Sequence, residues 1–145
     1  MKAGASPGFV SAISCLSLVL VPLLACKSKS NVTGSIAFDG VNFEPSDCQV
    51  SHATSNLGGS VVTTQTVTIV DSHKRRLSFS NSGGMRVSIW SGSLFDTIGS
   101  GCGSLRVTGS GAAATGHVEA DCTGSGHTVR ANFDFANCGQ YGIGP

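Results

Sequence analysis

Four histidines, His52, His73, His117 and His127, are the side chains best suited to proton transfer or metal binding near neutral pH. A hydrolase or metal enzyme built from them would need His52, His117 or His127 gathered with Asp121 or Glu119. The four are scattered, so solvated surface histidines are the expectation. A serine nucleophile needs a strained, glycine-flanked elbow, and no G-x-S-x-G motif occurs among residues 26–145. Gly99-Ser100-Gly101-Cys102-Gly103 has the glycines of a phosphate cradle but is not followed by the lysine and hydroxyl that complete one. No cofactor motif is present, and the expectation is a protein that is not an enzyme. The basic run His73-Lys74-Arg75-Arg76 is the one concentrated charge. Lys74, Arg75 and Arg76 could touch an acidic polymer or lipid headgroups, but polybasic patches carry about four to eight cations. A solvated turn that discourages edge pairing is favoured. Trp90, Phe95 and Tyr141 are expected as core anchors rather than a ligand platform.

The cysteines carry more information. Leu23-Leu24-Ala25-Cys26 closes an apolar stretch running from about Phe9 to Leu24, preceded by Met1-Lys2 and followed by polar Lys27 to Asn31. Ser11, Ser14, Ser17 and Pro22 interrupt the stretch, which suits a processed leader better than a membrane span of roughly 20 apolar residues. These residues resemble the lipobox of bacterial lipoproteins. The resemblance implies recognition of Leu23, Leu24 and Ala25 by the lipoprotein signal peptidase, cleavage before Cys26 and attachment of a diacylglycerol to its thiol. A plain secretory leader with a free Cys26 is the alternative. The expected organisation is a signal peptide over 1–25, a lipidated cysteine and short tether over 26–31, and one domain over 32–145.

Cys15 goes with that leader and Cys26 takes lipid, so Cys48, Cys102, Cys122 and Cys138 stay in the mature chain. An even count in an exported chain reads as two disulfides. No two of the four have zinc-ligand spacing, so no metal site is expected.

Composition bounds the rest. Residues 26–145 suffice for one core. Lys2 leaves with the leader, so eight basic residues then balance eight acidic ones and no net field draws nucleic acid. Charge is sparse, glycine abundant, and apolar residues alternate in short runs, which is the pattern of an all-β domain.

Parity fixes several hairpins, because the apolar residues of two paired strands must share a face. An Asp39-Gly40 turn pairs Phe38 with Val41 and Ile36 with Phe43. A turn over Asp71 to Arg75 joins Val67 and Ile69 to Leu77 and Phe79, and Asn81 to Gly84 joins that strand to Val87 and Ile89. A turn at Gly124-Ser125 would place Val118 opposite Ala131, Ala120 opposite Val129, and Glu119 opposite Arg130. Leu105 and Val107 would then lie beside Ala120 and Val118. Ser93 to Gly99 has a capping-box start and a glycine stop, which predicts one helical turn. The expected fold is an antiparallel β-sandwich or partly open barrel of about eight short strands. Of the three disulfide connectivities, Cys102–Cys122 with Cys48–Cys138 is preferred. In layout alone the mature chain also resembles small mycobacterial surface lipoprotein antigens, although its second cysteine pair departs from their simpler pattern.

The functional expectation is a membrane-anchored, non-enzymatic binding or structural module of the bacterial cell envelope, with an envelope component or protein as partner. Lys27 stands where enteric lipoproteins carry an inner-membrane-retention aspartate, so the resemblance implies the outer membrane where the bacterium has one. A carrier of an apolar ligand in a β cavity and a hydrolase or metal-dependent enzyme are the alternatives.

Overall fold

The computed structural model describes residues 31–140, and the lipobox residues Leu23, Leu24, Ala25 and Cys26 lie outside them, as does Tyr141. Eleven strands and one short 3-10 turn make up the described chain. The strands are β1 (Asn31–Phe38), β2 (Val41–Asn42), β3 (Pro45–Leu57), β4 (Ser60–Asp71), β5 (Arg76–Asn81) and β6 (Met85–Ser91). They continue with β7 (Leu94–Ser100), β8 (Gly103–Thr108), β9 (Thr115–Gly124), β10 (His127–Ala136) and β11 (Gly139–Gln140). The count exceeds the expected eight because Pro45–Leu57 adds a strand that alternation does not single out, Leu94–Ser100 is a strand where a helical turn is expected, and β11 is a two-residue addition.

Two open sheets form a sandwich, one ordered β2-β1-β10-β9-β8 and the other β11-β3-β4-β5-β6-β7. Pairing is antiparallel except between β11 and β3. The inward residues are those that parity selects: Ile36, Val118, Phe133 and Phe135 from one sheet meet Val67, Ile69, Leu77, Phe79 and Val87 from the other. Phe79 and Phe133 touch edge-to-face across the interior, with ring centroids 5.5 Å apart. Each such buried side chain contributes roughly 1.5–3 kcal/mol relative to exposure.

The Asp39-Gly40 turn forms as expected, with positive φ at both residues, Phe38 opposite Val41, and the Phe43 N–H donating to the Ile36 carbonyl at 2.8 Å. The expected β4–β5–β6 meander also forms, with Ile69 opposite Leu77 and Phe79 opposite Val87. Cys48 bonds Cys138, and Cys102 bonds Cys122, as preferred. The first bridge closes the longer separation, 90 residues, and binds β3 to the segment after β10, so it ties the two sheets together.

Three local expectations are corrected. The last hairpin turns at Ser125-Gly126, pairing Val118 with Phe133, Ala120 with Ala131 and Cys122 with Val129. Both turn residues have positive φ, the type I′ geometry, and Gly126 supplies the position that glycine fills without strain. Gly124 is instead held in the strand, where a Cβ would collide with the Ile98 carbonyl oxygen of the facing sheet. The slip of two positions preserves every side chain's face but changes its neighbours, and Arg130 meets Asp121 rather than Glu119. The β8 register moves likewise, Leu105 facing Val118 and Val107 facing Gly116. Finally, Ser93 to Gly99 is extended: Leu94–Ser100 pairs with β6 after a turn at Gly92. One helical turn gains too few hydrogen bonds to compete with a strand that covers the open edge of β6.

Beyond its pairing with β5, the β3–β4 hairpin continues as a two-stranded arm that turns at Gly58-Gly59, where Leu57 and Val61 are exposed.

Candidate functional site

The basic run does not form one cationic patch. Asp71, at the end of β4, is almost fully buried, and its Oδ1 accepts the backbone N–H groups of His73 at 2.9 Å and Arg75 at 2.8 Å. Arg75 folds back so that its Nε donates to Asp71 Oδ2 at 2.7 Å, while its guanidinium lies 5.3 Å from the ring centre of Phe43 and 5.8 Å from that of Phe38. Burial alone would raise the Asp71 pKa. The side-chain hydrogen bond and charge of Arg75, with the two backbone donors, outweigh burial and hold the carboxyl below its ordinary value. Arg75 is therefore a bracket between the β4–β5 turn and two aromatic residues, Phe38 of β1 and Phe43 of the β2–β3 connection. Lys74 stays exposed at the turn, and Arg76 points from β5 to the outer face of the six-stranded sheet.

The histidines separate in the same way. His117 Nδ1 lies 2.9 Å from Asp134 Oδ1, and His127 Nδ1 lies 2.8 Å from Asp39 Oδ2. Asp39 Oδ1 also accepts the Thr128 N–H at 2.8 Å, and this backbone bond, followed by the His127 hydrogen bond, lowers its pKa. His73 is exposed at its turn, where its ring touches the Ser72 hydroxyl and Asp71, and His52 is exposed on β3 at the base of the arm. Two of the four thus make hydrogen-bonded aspartate pairs, and His73 a longer contact of 3.7 Å with Asp71, beyond the expectation of simple solvation. The corrected hairpin register explains the first, since it puts His117 opposite Asp134 and moves His127 to a place opposite Gly124. His117 and His127 are not brought together with Asp121, which faces Arg130, or with Glu119, which faces Asn132. Among the described residues no group of three or more His, Cys, Asp or Glu side chains could hold a metal ion.

A different constellation lies on the outer face of the six-stranded sheet. Val67, Ile69, Leu77, Phe79, Val87 and Ile89 point inward, so Thr66, Thr68, Ser78, Ser80, Ser88 and Trp90 point outward. Ladder pairing sets Gln49, Thr68, Ser78, Ser88 and Thr97 side by side across five strands. Thr68 Oγ1 and Ser78 Oγ are 3.0 Å apart, and Thr68 is only 8% exposed although it lies on an outer face. The next row explains this shading. Arg76 is opposite Trp90, and Trp90 is opposite Phe95, with the two aromatic centroids 4.4 Å apart. Ser51, Thr68, Arg76, Ser78 and Trp90 line a recess of about 310 Å³.

Trp90 is 46% and Phe95 49% exposed, which corrects their expected role as core anchors. Alternation around Ile89 held the missed signal: a strand that buries Val87 and Ile89 must turn Trp90 outward. A second polar recess, lined by Ser80, Arg86 and Ser100 among others, continues along the same face. The five-stranded sheet carries a wider trough lined by Ser35, Ala37, Asp121, Arg130 and Asn132 among others. It holds no aromatic ring, and its Arg130 and Asp121 already face one another at 3.5 Å. The recess beside Trp90 is the better candidate for recognition, because it joins an exposed ring to hydroxyl groups held in a rigid ladder.

No family model, curated protein or solved structure matches the chain.

Proposed function

We propose that this protein is an exported bacterial lipoprotein, tethered through Cys26, that serves the cell envelope as a non-enzymatic binding module. Its ligand-facing surface is the outer face of the six-stranded sheet. The observation that carries the reading is the exposed Trp90 at the same recess as the Thr68–Ser78 hydroxyl pair. The address rests on the lipobox-like Leu23-Leu24-Ala25-Cys26 and is supported by two disulfides, which persist in oxidising compartments. A tether of about five polar residues would hold the domain near its bilayer, within reach of envelope components.

Intact-mass spectrometry of the full chain expressed in a bacterium, beside Cys26→Ser, tests the address. The expected product lacks residues 1–25 and carries a diacylglyceryl group that the variant lacks. An unlipidated mature mass would replace this reading with a secreted soluble domain.

A further inference from the structure

We infer that the recess beside Trp90 binds a pyranose residue of an oligosaccharide, and that the polar track beyond it accommodates the neighbouring sugars. This rests on the proposal that the outer face of the six-stranded sheet is the binding surface. A pyranose ring has an apolar face of C–H groups and an equator of hydroxyls. Trp90, with its ring exposed and backed by Phe95, offers the surface on which such a face stacks. The hydroxyls of Ser51, Thr68 and Ser78 both donate and accept, as sugar hydroxyls require, and Arg76 lines the same recess.

Other ligand classes fit less well. The recess holds no carboxylate, which disfavours a cation, and it is lined largely by hydroxyls, which disfavours an apolar molecule. Its floor belongs to β4 and β5, whose backbone groups are already paired on both sides, so an extended peptide could not add there as a strand. Single-stranded nucleic acid stacks on aromatic rings but also needs a basic groove along its backbone, and the outward positions of β4, β5 and β6 supply only two cations, Arg76 and Arg86.

The second recess supports an oligosaccharide over a single sugar. Arg86 and Trp90 point to the same face four residues apart on β6, a separation of about 13 Å along the strand. Ser78 and Ser88 lie between these two ends, and Ser80 and Ser100 flank Arg86 on the adjoining strands. The track is thus polar from one end to the other and longer than one ring.

Trp90 is the single tryptophan of the chain, so its fluorescence reports the site without a label. Full-chain protein in detergent would be titrated with gluco-, manno- and galacto-configured oligosaccharides into the millimolar range. A saturable change in emission with at least one of them is expected, with affinity falling about tenfold in Thr68→Val, which removes one hydroxyl and keeps the shape. Ser104→Ala, on the opposite sheet, should bind as the parent does. Circular dichroism and thermal unfolding would establish that both variants fold. Silence towards every sugar, or equal weakening by Thr68→Val and Ser104→Ala, overturns the inference. The same emission measured against a delipidated envelope extract separates the two readings. A response to the extract without a response to sugars sinks the saccharide alone, whereas silence towards both also sinks the assignment of this face as the binding surface.

Discussion

The two outer faces of the sandwich are built from the same alternation and made differently. On the five-stranded sheet the outward positions of β9 and β10 carry His117, Glu119, Asp121, Arg130 and Asp134, and the ladder sets partners against one another as the hydrogen-bonded His117–Asp134 pair and the Arg130–Asp121 ion pair. On the six-stranded sheet the outward positions of β4, β5 and β6 are mainly Thr and Ser, with Arg76, Arg86 and Trp90 around them. A face on which most charged groups already have a partner within the fold offers less to a third party. Uncharged hydroxyls beside an exposed ring keep directional hydrogen-bonding capacity and apolar surface together, the combination that small polar ligands use. Both faces cover equally apolar interiors, so the contrast arises from what lies outside.

The sharpest way to break the contrast is to disturb each face at one backbone-near position. Gly34, in β1, has φ +129°, and a Cβ there would collide with the Asn132 carbonyl oxygen and the Phe133 backbone of β10. Gly34→Ala should cost about 3 kcal/mol or more, read by chemical denaturation. Ser78→Ala on the other face should fall within about 1 kcal/mol, since only one hydroxyl pair is lost. Comparable losses would show that the six-stranded face is also structurally committed.

Next in size is the Asp71 bracket. Asp71→Asn keeps the shape but removes the charge facing Arg75 and should cost about 2 kcal/mol, a figure reduced from that of a fully buried pair because Arg75 is 30% exposed. The same residue sets an acid limit. Asp71 and Asp39 both titrate below their ordinary value of 3.8 when folded, so the stability they add is present above that pH and is lost as pH falls through the folded values. Unfolding curves collected from pH 5 downward should steepen below about pH 4 in the parent and flatten in Asp71→Asn. An unchanged slope would remove Asp71 from the acid response.

Smaller effects sharpen the comparison of surfaces. Trp90→Ala should alter stability by no more than about 1 kcal/mol, because the ring is half exposed; a loss of several kcal/mol would make it a structural anchor after all. Smallest is the exposed Arg130–Asp121 pair, whose coupling in a double-mutant cycle should be a few tenths of a kcal/mol. Glu119 with Arg130 should show none, and coupling there in place of Asp121 would favour a turn at Gly124-Ser125.

Much of the scaffold was legible for a simple reason. Ile36, Phe38, Val67, Ile69, Leu77, Phe79, Val87 and Ile89 alternate strictly, and a wrong parity would have turned a whole set of them to water. The last hairpin was misplaced because a slip of two residues leaves parity intact. What decides between the alternatives is the Ser125-Gly126 geometry together with the close approach of Gly124 to Ile98, a contact between segments remote in sequence. The segment from Ser93 to Gly99 failed for a related reason: its local capping signal was real, but the open edge of β6 was the stronger partner. Arg75 looked like one of three parallel cations until the fold placed Phe38, Phe43 and Asp71 around it.

The amino-acid sequence by itself determined the β class, the faces of most strands and the even set of four cysteines, since these depend on residue type and period-two spacing along a single segment. Tertiary structure alone decided which sheet each strand joined, that Arg75 braces the core instead of extending to solvent, and that Ser51, Thr68, Arg76, Ser78 and Trp90 meet at one recess. Those outcomes depend on the lateral order of strands, and the ladder brings together side chains that no local spacing relates.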